Sequence, residues 1–486
     1  MSIPPHMSPD EFRRLGHFLI DWIADYHAGL EGRAVQSFGP PGTVLAAMPQ
    51  RLAEEAGTGD TWKEMLAFVD GTVTSNLLHW QSPRFFGYFP CNASFPGILG
   101  EILAAGLNVN GMLWATSPAA TEVEMRCTDW MADLIGLPGE FTFENPGANG
   151  QGGGCIAGTA SESTLVSLLA ARGRLRERGS DVHAMTVYAS RHAHSSIVKA
   201  AMIAGLADGP EDRRRVRLIE CDDVHRMDAD ALGRAIRADV AAGLVPGWVC
   251  ATIGMTSSES VDSLVEIRRV VPEEVWLHAD AAFTGAALVC EEHRWMIEGV
   301  ERADSVCFNP HKWLLTNFDC DCFWTRDRAS LVRALSVLPE YLRNSATEAG
   351  AVVDYRDWQI PLGRRFRALK LMFVLRHYGR EGLRAHVRAH IAAAAWLEQQ
   401  VHASEYFEMA SPRVTSLVCL CCAEGDDATR RVMEAINSSG RAFVSHTMLP
   451  DESGRERFVM RVAIGGTATR LEHVKELWAL MCECAR

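Results

Sequence analysis

The sequence predicts an α/β protein, a largely parallel sheet with helices on both faces, preceded by a helical arm and followed by a smaller α+β part. Three observations carry this. From about residue 150, short β-rich runs alternate with helical stretches, the rhythm of strand–helix–strand units buried on both sides. Ahead of them, an apolar stripe at helical spacing leads into a Pro- and Gly-rich connection. After about Tyr378 the text turns to helices and then to a short mixed set of strands. The expected units are an arm over residues 1–94, a large unit over 95–375 and a small unit over 376–486.

Each element has its own signal. Ser8-Pro9-Asp10-Glu11 reads as a helix start, with a serine cap, proline in the first turn and glutamate three residues after the cap. Phe12, Leu15, Leu19, Trp22, Ile23 and Tyr26 then mark one face, which must be covered by its own chain or a second one. Thr186–Ala189, Val216–Ile219, Gly247–Ile253, Val275–Ala279 and Ser305–Phe308 read as strands, and Asp228–Ala242 as a helix between two of them. Towards the end, Thr415–Cys422 and Phe458–Ile464 read as strands and Glu472–Cys484 as a closing helix.

Composition narrows the function. The 486 residues carry a net charge of −13, which disfavours nucleic-acid and anionic-membrane binding. No window approaches the ~18 apolar residues of a membrane span, and the first residues lack a secretion signal, so a soluble cytoplasmic enzyme is expected. The 14 cysteines lie mostly in apolar runs. Cys419 and Cys422 form a C-x-x-C with no second pair, so free buried thiols and no metal are expected.

Polar groups gather just past the β-like runs. Gly152-Gly153-Gly154 leads through Thr159, Ala160 and Ser161 into a helical stretch, which suits an anion at a helix start or a capped helix with a flexible lead-in. His194, Thr256, Asp280 and the group Asn309-Pro310-His311-Lys312-Trp313 each follow a strand. Singly, each has a bland reading: a structural histidine, a capping aspartate, an ion-paired lysine. Together they fall on one edge of a parallel sheet, where ligands collect. Lysine, aspartate, a planar histidine and a hydroxyl-rich helix start are what pyridoxal 5′-phosphate needs for its aldehyde, ring nitrogen, ring face and phosphate.

At these residues the sequence resembles the pyridoxal-phosphate group II amino-acid decarboxylases, most closely the aromatic-L-amino-acid (DOPA) decarboxylases. The likeness runs from Glu11-Phe12-Arg13-Arg14 through His79-Trp80, Ser82-Pro83, Tyr88-Phe89-Pro90, Trp114 and Ser117-Pro118-Ala119. It continues through Ala193-His194-Ser195-Ser196, His278-Ala279-Asp280-Ala281-Ala282 and Asn309–Trp313 to Ile360-Pro361-Leu362-Gly363-Arg364-Arg365-Phe366-Arg367. It implies a fold-type I (aspartate aminotransferase-like) homodimer with the active site at the subunit interface and the N-terminal arm around the partner. By the same resemblance Lys312 is the Schiff-base lysine, Asp280 pairs with the pyridine nitrogen, and His194 stacks on the ring with Ala282 beneath. Ala160, Ser161, Asn309 and His311 hold the phosphate, with Thr256 nearby. Tyr88, Phe89, Pro90 and Cys91 line the substrate side, and Met112 and Trp114 come from a loop that crosses the interface.

The implied reaction is decarboxylation of an aromatic L-amino acid to its amine and carbon dioxide through a quinonoid intermediate. A tyrosine on a mobile loop returns the proton, matched here by Tyr341 in the stretch Ala334–Ala351. Relatives that make aldehydes lack that tyrosine or the histidine; this chain has both. Departures bear on substrate. Cys91 replaces a threonine of animal relatives, Asn110-Gly111-Met112-Leu113-Trp114 replaces Ile-Gly-Phe-Ser-Trp, and Gly363 resembles the indole-compatible plant version. A broad aromatic set including tryptophan is therefore expected. Competing readings are a nonaromatic decarboxylase, an aromatic aldehyde synthase, an NAD-dependent dehydrogenase on the glycine-rich stretch, and a noncatalytic cofactor-binding protein.

Overall fold

Ser8 accepts the backbone N–H of Glu11 at 3.2 Å and starts the helix Pro9–Ala28, as its sequence signal requires. In this computed structural model the described residues are 6–37, 39–52, 59–144, 152–337, 352–451 and 453–486. The first helix buries Leu15 and half-buries Trp22, Ile23 and Tyr26, but leaves Phe12, 69% exposed, and Leu19 uncovered in the single chain. The segment behind it supplies a short strand, β1 (Phe85–Phe86).

The large sheet is built from β2 (Gly153–Ala157), β3 (Met185–Ser190), β4 (Val216–Ile219), β5 (Val245–Thr252), β6 (Trp276–Asp280), β7 (Ser305–Phe308) and β8 (Asp321–Thr325). Its order is β2-β8-β7-β6-β5-β3-β4. Strands β7, β6, β5, β3 and β4 pair in parallel, and β8 runs antiparallel to both neighbours. Helices cover both faces. Helix Ala160–Glu177 packs over Trp248, Trp276 and Phe323, while helix Pro118–Ile135 and the start of Ala368–His402 close the other side. With both faces dry, β3 and β6 are buried along their whole length, the expected state of a parallel sheet between helices.

The second sheet adds β9 (Phe407–Met409), β10 (Leu417–Cys422), β11 (Phe443–Pro450) and β12 (Glu456–Ala463), in the order β1-β11-β12-β10-β9. Only the β1–β11 pair is parallel. Helices Asp426–Ser438 and Leu471–Ala485 pack on it.

One local expectation changes. The glycines before Ala160 read as a lead-in loop, yet Gly153 and Gly154 pair with Thr325 and Trp324 inside the sheet. A Cβ on Gly154 would lie 2.6 Å from the Trp324 ring, and one on Gly153 2.5 Å from that of Phe143. Close packing, not turn geometry, requires glycine here. The 14 cysteines are all free, and no metal-competent cluster occurs among the described residues. No helix among those residues is long and apolar enough to cross a membrane.

Candidate active site

The carboxyl ends of β2, β3, β5, β6 and β7 meet at one edge around a cavity of about 230 Å³. Each strand sends its following residues into the wall. Ala160 and Ser161 come after β2, His194 after β3, Gly254 and Thr256 after β5. Asp280 and Ala282 stand at the end of β6, and Asn309, His311 and Lys312 follow β7. Parallel register explains the convergence, since Thr252 lies beside Asp280 and Asp280 beside Cys307 across adjacent strands. The tight turn at Gly254 has φ +94°, and a Cβ there would strike Thr284, so the loop can come this close only as glycine.

Lys312 sits at the wall with Nζ 5.3 Å from the Phe89 ring centre. Enclosure lowers its ammonium from the usual lysine range, against the pull of Asp280 and Asp321. Asp280 is buried, and its Oδ1 accepts the N–H of Ala282 at 3.0 Å. Thus the aspartate does serve as a local cap, while its carboxylate also lines the cavity. His194 accepts the N–H of Ser196 on Nδ1 at 3.1 Å, which puts the proton of the neutral ring on Nε2. Burial, then the Lys312 charge, push that ring below the ordinary histidine range. His311 is pinned with Nδ1 3.0 Å from the N of Cys320 and is pushed down to about 3, chiefly by burial.

Other polar features at this wall lack partners. No side chain caps helix Ala160–Glu177, whose first residues, Ala160 and Ser161, border the cavity. Asn309 Oδ1 and Thr252 Oγ1 are buried without a hydrogen bond. Thr252 is a wall residue that sequence reasoning missed. Its signal was its place two residues before the Gly254 turn, at the end of a strand. Phe283 was missed as well; its ring stacks on Phe89 at 4.0 Å and on Trp313 at 5.0 Å.

The expected substrate residues fall differently. Phe89 lines the cavity. Tyr88 turns away, half exposed, with its ring stacked on Trp80 at 5.7 Å. Pro90 packs beside Gly465, and Cys91 O accepts the Gln81 side-chain amide at 2.5 Å. Met112, Trp114 and Gly363 are absent from this cavity's wall. Met112 and Trp114 belong to a strip zippered to the segment, Gly363 included, that precedes helix Ala368–His402. Met112 O accepts Arg356 N at 3.0 Å, Trp114 N donates to Asp354 at 2.9 Å, and Asn110 accepts Arg364 N at 2.9 Å. Tyr341 lies outside the described residues.

Residues 41–422 match the pyridoxal-dependent decarboxylase conserved domain. The chain belongs to the pyridoxal-dependent decarboxylase family. The match spans most of its length, and full-length relatives agree. The chain is 43% identical to the phenylacetaldehyde synthase of Arabidopsis thaliana over 98% of this chain and 96% of that protein. It is 41% identical to tryptophan decarboxylase 2 of Oryza sativa subsp. japonica, over 98% of this chain and 94% of that one. Among solved structures, Oryza sativa TDC with PLP and tryptamine superposes with a TM-score of 0.92 at 36% identity, covering 100% of this chain and 99% of that one.

This decarboxylase is accordingly a fold-type I α/β carboxy-lyase, and its cofactor is pyridoxal 5′-phosphate. The cavity fits that group. It offers a primary amine, a buried carboxylate, an uncapped helix start suited to an anion, and two orphaned polar atoms that a polar ligand would satisfy.

Proposed function

We propose that this decarboxylase removes the carboxyl group of an aromatic L-amino acid, tryptophan among them, to give the amine and carbon dioxide. The observation that carries the reading is the convergence of Lys312, Asp280 and His194 on one cavity beside the stacked rings of Phe89 and Phe283. Those rings give the wall an apolar, planar surface suited to an aromatic side chain. Relatives that act on tryptophan and on tyrosine, at 41% identity, support the same class.

In this reading Lys312 Nζ would hold the aldehyde end, Asp280 the ring nitrogen, and His194 and Ala282 the two ring faces. Ala160, Ser161, Asn309 and His311 would hold the phosphate, with Thr256 beside them. Pyridoxal 5′-phosphate, when bound, supplies an electron sink for the pair left behind as carbon dioxide departs. The lowered Lys312 keeps more of its amine neutral and nucleophilic near pH 7. His194 stays neutral and keeps its Nε2–H available at the cavity. Tyr341 would return the proton to the α-carbon from its phenol oxygen.

A second copy of the chain completes the site. Helix Phe95–Leu107 exposes Phe95, Leu99, Ile102, Leu103 and Leu107, an apolar face that a homodimer would bury. Met112, Trp114 and Gly363, away from their own chain's cavity, would then line the neighbour's. A cytoplasmic setting belongs to the same reading, supported by 14 free thiols.

Aldehyde formation is the second reading, favoured by the 43% likeness to a phenylacetaldehyde synthase. Incubation with tryptophan, 5-hydroxytryptophan, DOPA, tyrosine, phenylalanine and nonaromatic controls separates the two. Amine and carbon dioxide without peroxide support decarboxylation. Aldehyde with stoichiometric hydrogen peroxide, or turnover of the nonaromatic controls alone, overturns it.

A further inference from the structure

Behind Asp280, side chains of β6 and β7 alternate along one face of the sheet, climbing towards the cavity. Residues two apart on a strand share a face, and the parallel register sets His278 beside Ser305 and Asp280 beside Cys307. The contacts run without a gap. Trp276 Nε1 donates to Ser305 Oγ at 2.8 Å, and Ser305 Oγ lies 2.9 Å from His278 Nδ1. His278 Nε2 lies 3.6 Å from Cys307 Sγ, and that thiol donates to Asp280 Oδ1 at 3.7 Å. Trp276, Ser305, His278 and Cys307 are each buried to within 1% of complete.

The two ends fix the direction. An indole N–H can only donate, and an ionised carboxylate can only accept. Ser305 therefore receives the Trp276 proton and gives its own to His278 Nδ1. His278 is then the Nε2–H tautomer and gives that proton to Cys307, whose thiol points at Asp280. Burial pushes His278 down to about 4, so the ring is neutral near pH 7 and adds no charge of its own.

We infer that Trp276, Ser305, His278 and Cys307 form a one-way line of donors ending on Asp280, with His278 the positioning residue that orients this carboxylate towards the cofactor's ring nitrogen. The inference rests on the reading of Asp280 as the ring nitrogen's partner. In a dry interior, hydrogen bonds in series polarise one another, and here every bond presents its positive end to the carboxylate. A neutral ring suits the task. It aligns a dipole on Asp280 without competing with the pyridinium as a second cation. An apolar residue would fill the same space but break the line between Ser305 and Cys307.

The test compares two ligands on the full chain stripped of cofactor: pyridoxal 5′-phosphate, and its deaza analogue with C–H in place of the ring nitrogen. The ratio of their dissociation constants isolates what Asp280 gives the nitrogen. Wild type should prefer the natural cofactor. Cys307→Ala and His278→Leu should each shrink that preference by about tenfold, the size of one charge-assisted hydrogen bond. His278→Gln, whose amide can accept from Ser305 and donate to Cys307, should restore it. Cys307→Ala removes a single sulfur, so it carries the test alone if His278→Leu does not fold. A wild-type preference left intact in Cys307→Ala, with both ligands weakened equally, overturns the inference. No preference in wild type would instead overturn the pairing of Asp280 with the ring nitrogen.

Discussion

Glu259 buries its carboxylate completely and accepts the backbone N–H of Thr415 at 2.7 Å, joining the loop that carries Thr256 to the edge of β10 in the second sheet. The same carboxylate takes the Thr415 hydroxyl and, at 3.3 Å, the N–H of Leu417. Nearby, Ser257 Oγ lies 2.8 Å from Thr447 Oγ1. The second sheet is thus clamped to the loop that brings Thr256 to the cavity wall. Glu259→Ala leaves two buried N–H groups unpaired and should cost roughly 2–4 kcal/mol in urea unfolding. Unchanged unfolding would show that the clamp holds nothing.

Acid should weaken the packing behind Lys312 through His390. Trp313 donates its indole N–H to His390 Nδ1 at 2.9 Å, and Nε2 lies 3.1 Å from Thr469 O. Burial pushes this histidine down to about 4, against about 6.5 when unfolded. Between those values the unfolded chain binds a proton that the native chain does not. This contribution is whole above pH 6.5 and is lost as pH falls towards 4, by up to about tenfold in the folding constant per pH unit. His390→Gln keeps one acceptor and one donor but cannot titrate. Unfolding curves between pH 7 and 4.5 should show a shallower acid decline for the variant; identical slopes would contradict it.

These two contacts also show where sequence reading stops. Strands Val216–Ile219 and Ser305–Phe308 were legible because β-rich residues run together between turn signals, and the Ser8 cap because its chemistry is local. Asp280, His194 and Lys312 were legible because strand ends in a parallel sheet share an edge. Glu259 reaches Thr415 across 156 positions and Trp313 reaches His390 across 77, and no local pattern encodes such partners. The antiparallel pairing of β8 with Gly153–Ala157, which decides that those glycines form a strand, has no local signal for the same reason.

Product identity should follow Tyr341. Tyr341→Phe removes the phenolic proton, so in air part of the amine should give way to aldehyde and ammonia, with dioxygen reduced to equimolar hydrogen peroxide, read by product chromatography and a peroxidase-coupled assay. Full amine yield without peroxide would take the tyrosine out of the reaction.

Assembly should follow the exposed face of helix Phe95–Leu107. Leu103, 48% exposed in the single chain, becomes buried if a second copy covers it. Leu103→Glu places a charge in that contact and should shift the mass measured by light scattering from dimer to monomer, with activity falling alongside. A variant that stays dimeric and active would place the interface elsewhere.

In the proposed function one amine, that of Lys312, carries the cofactor. Borohydride reduction of the coloured holoenzyme, followed by peptide mapping, reads this directly. The visible band should bleach, and the pyridoxyl label should appear on Lys312 alone. A label on Lys63, Lys199, Lys370 or Lys475, or a band that bleaches without labelling Lys312, would contradict it.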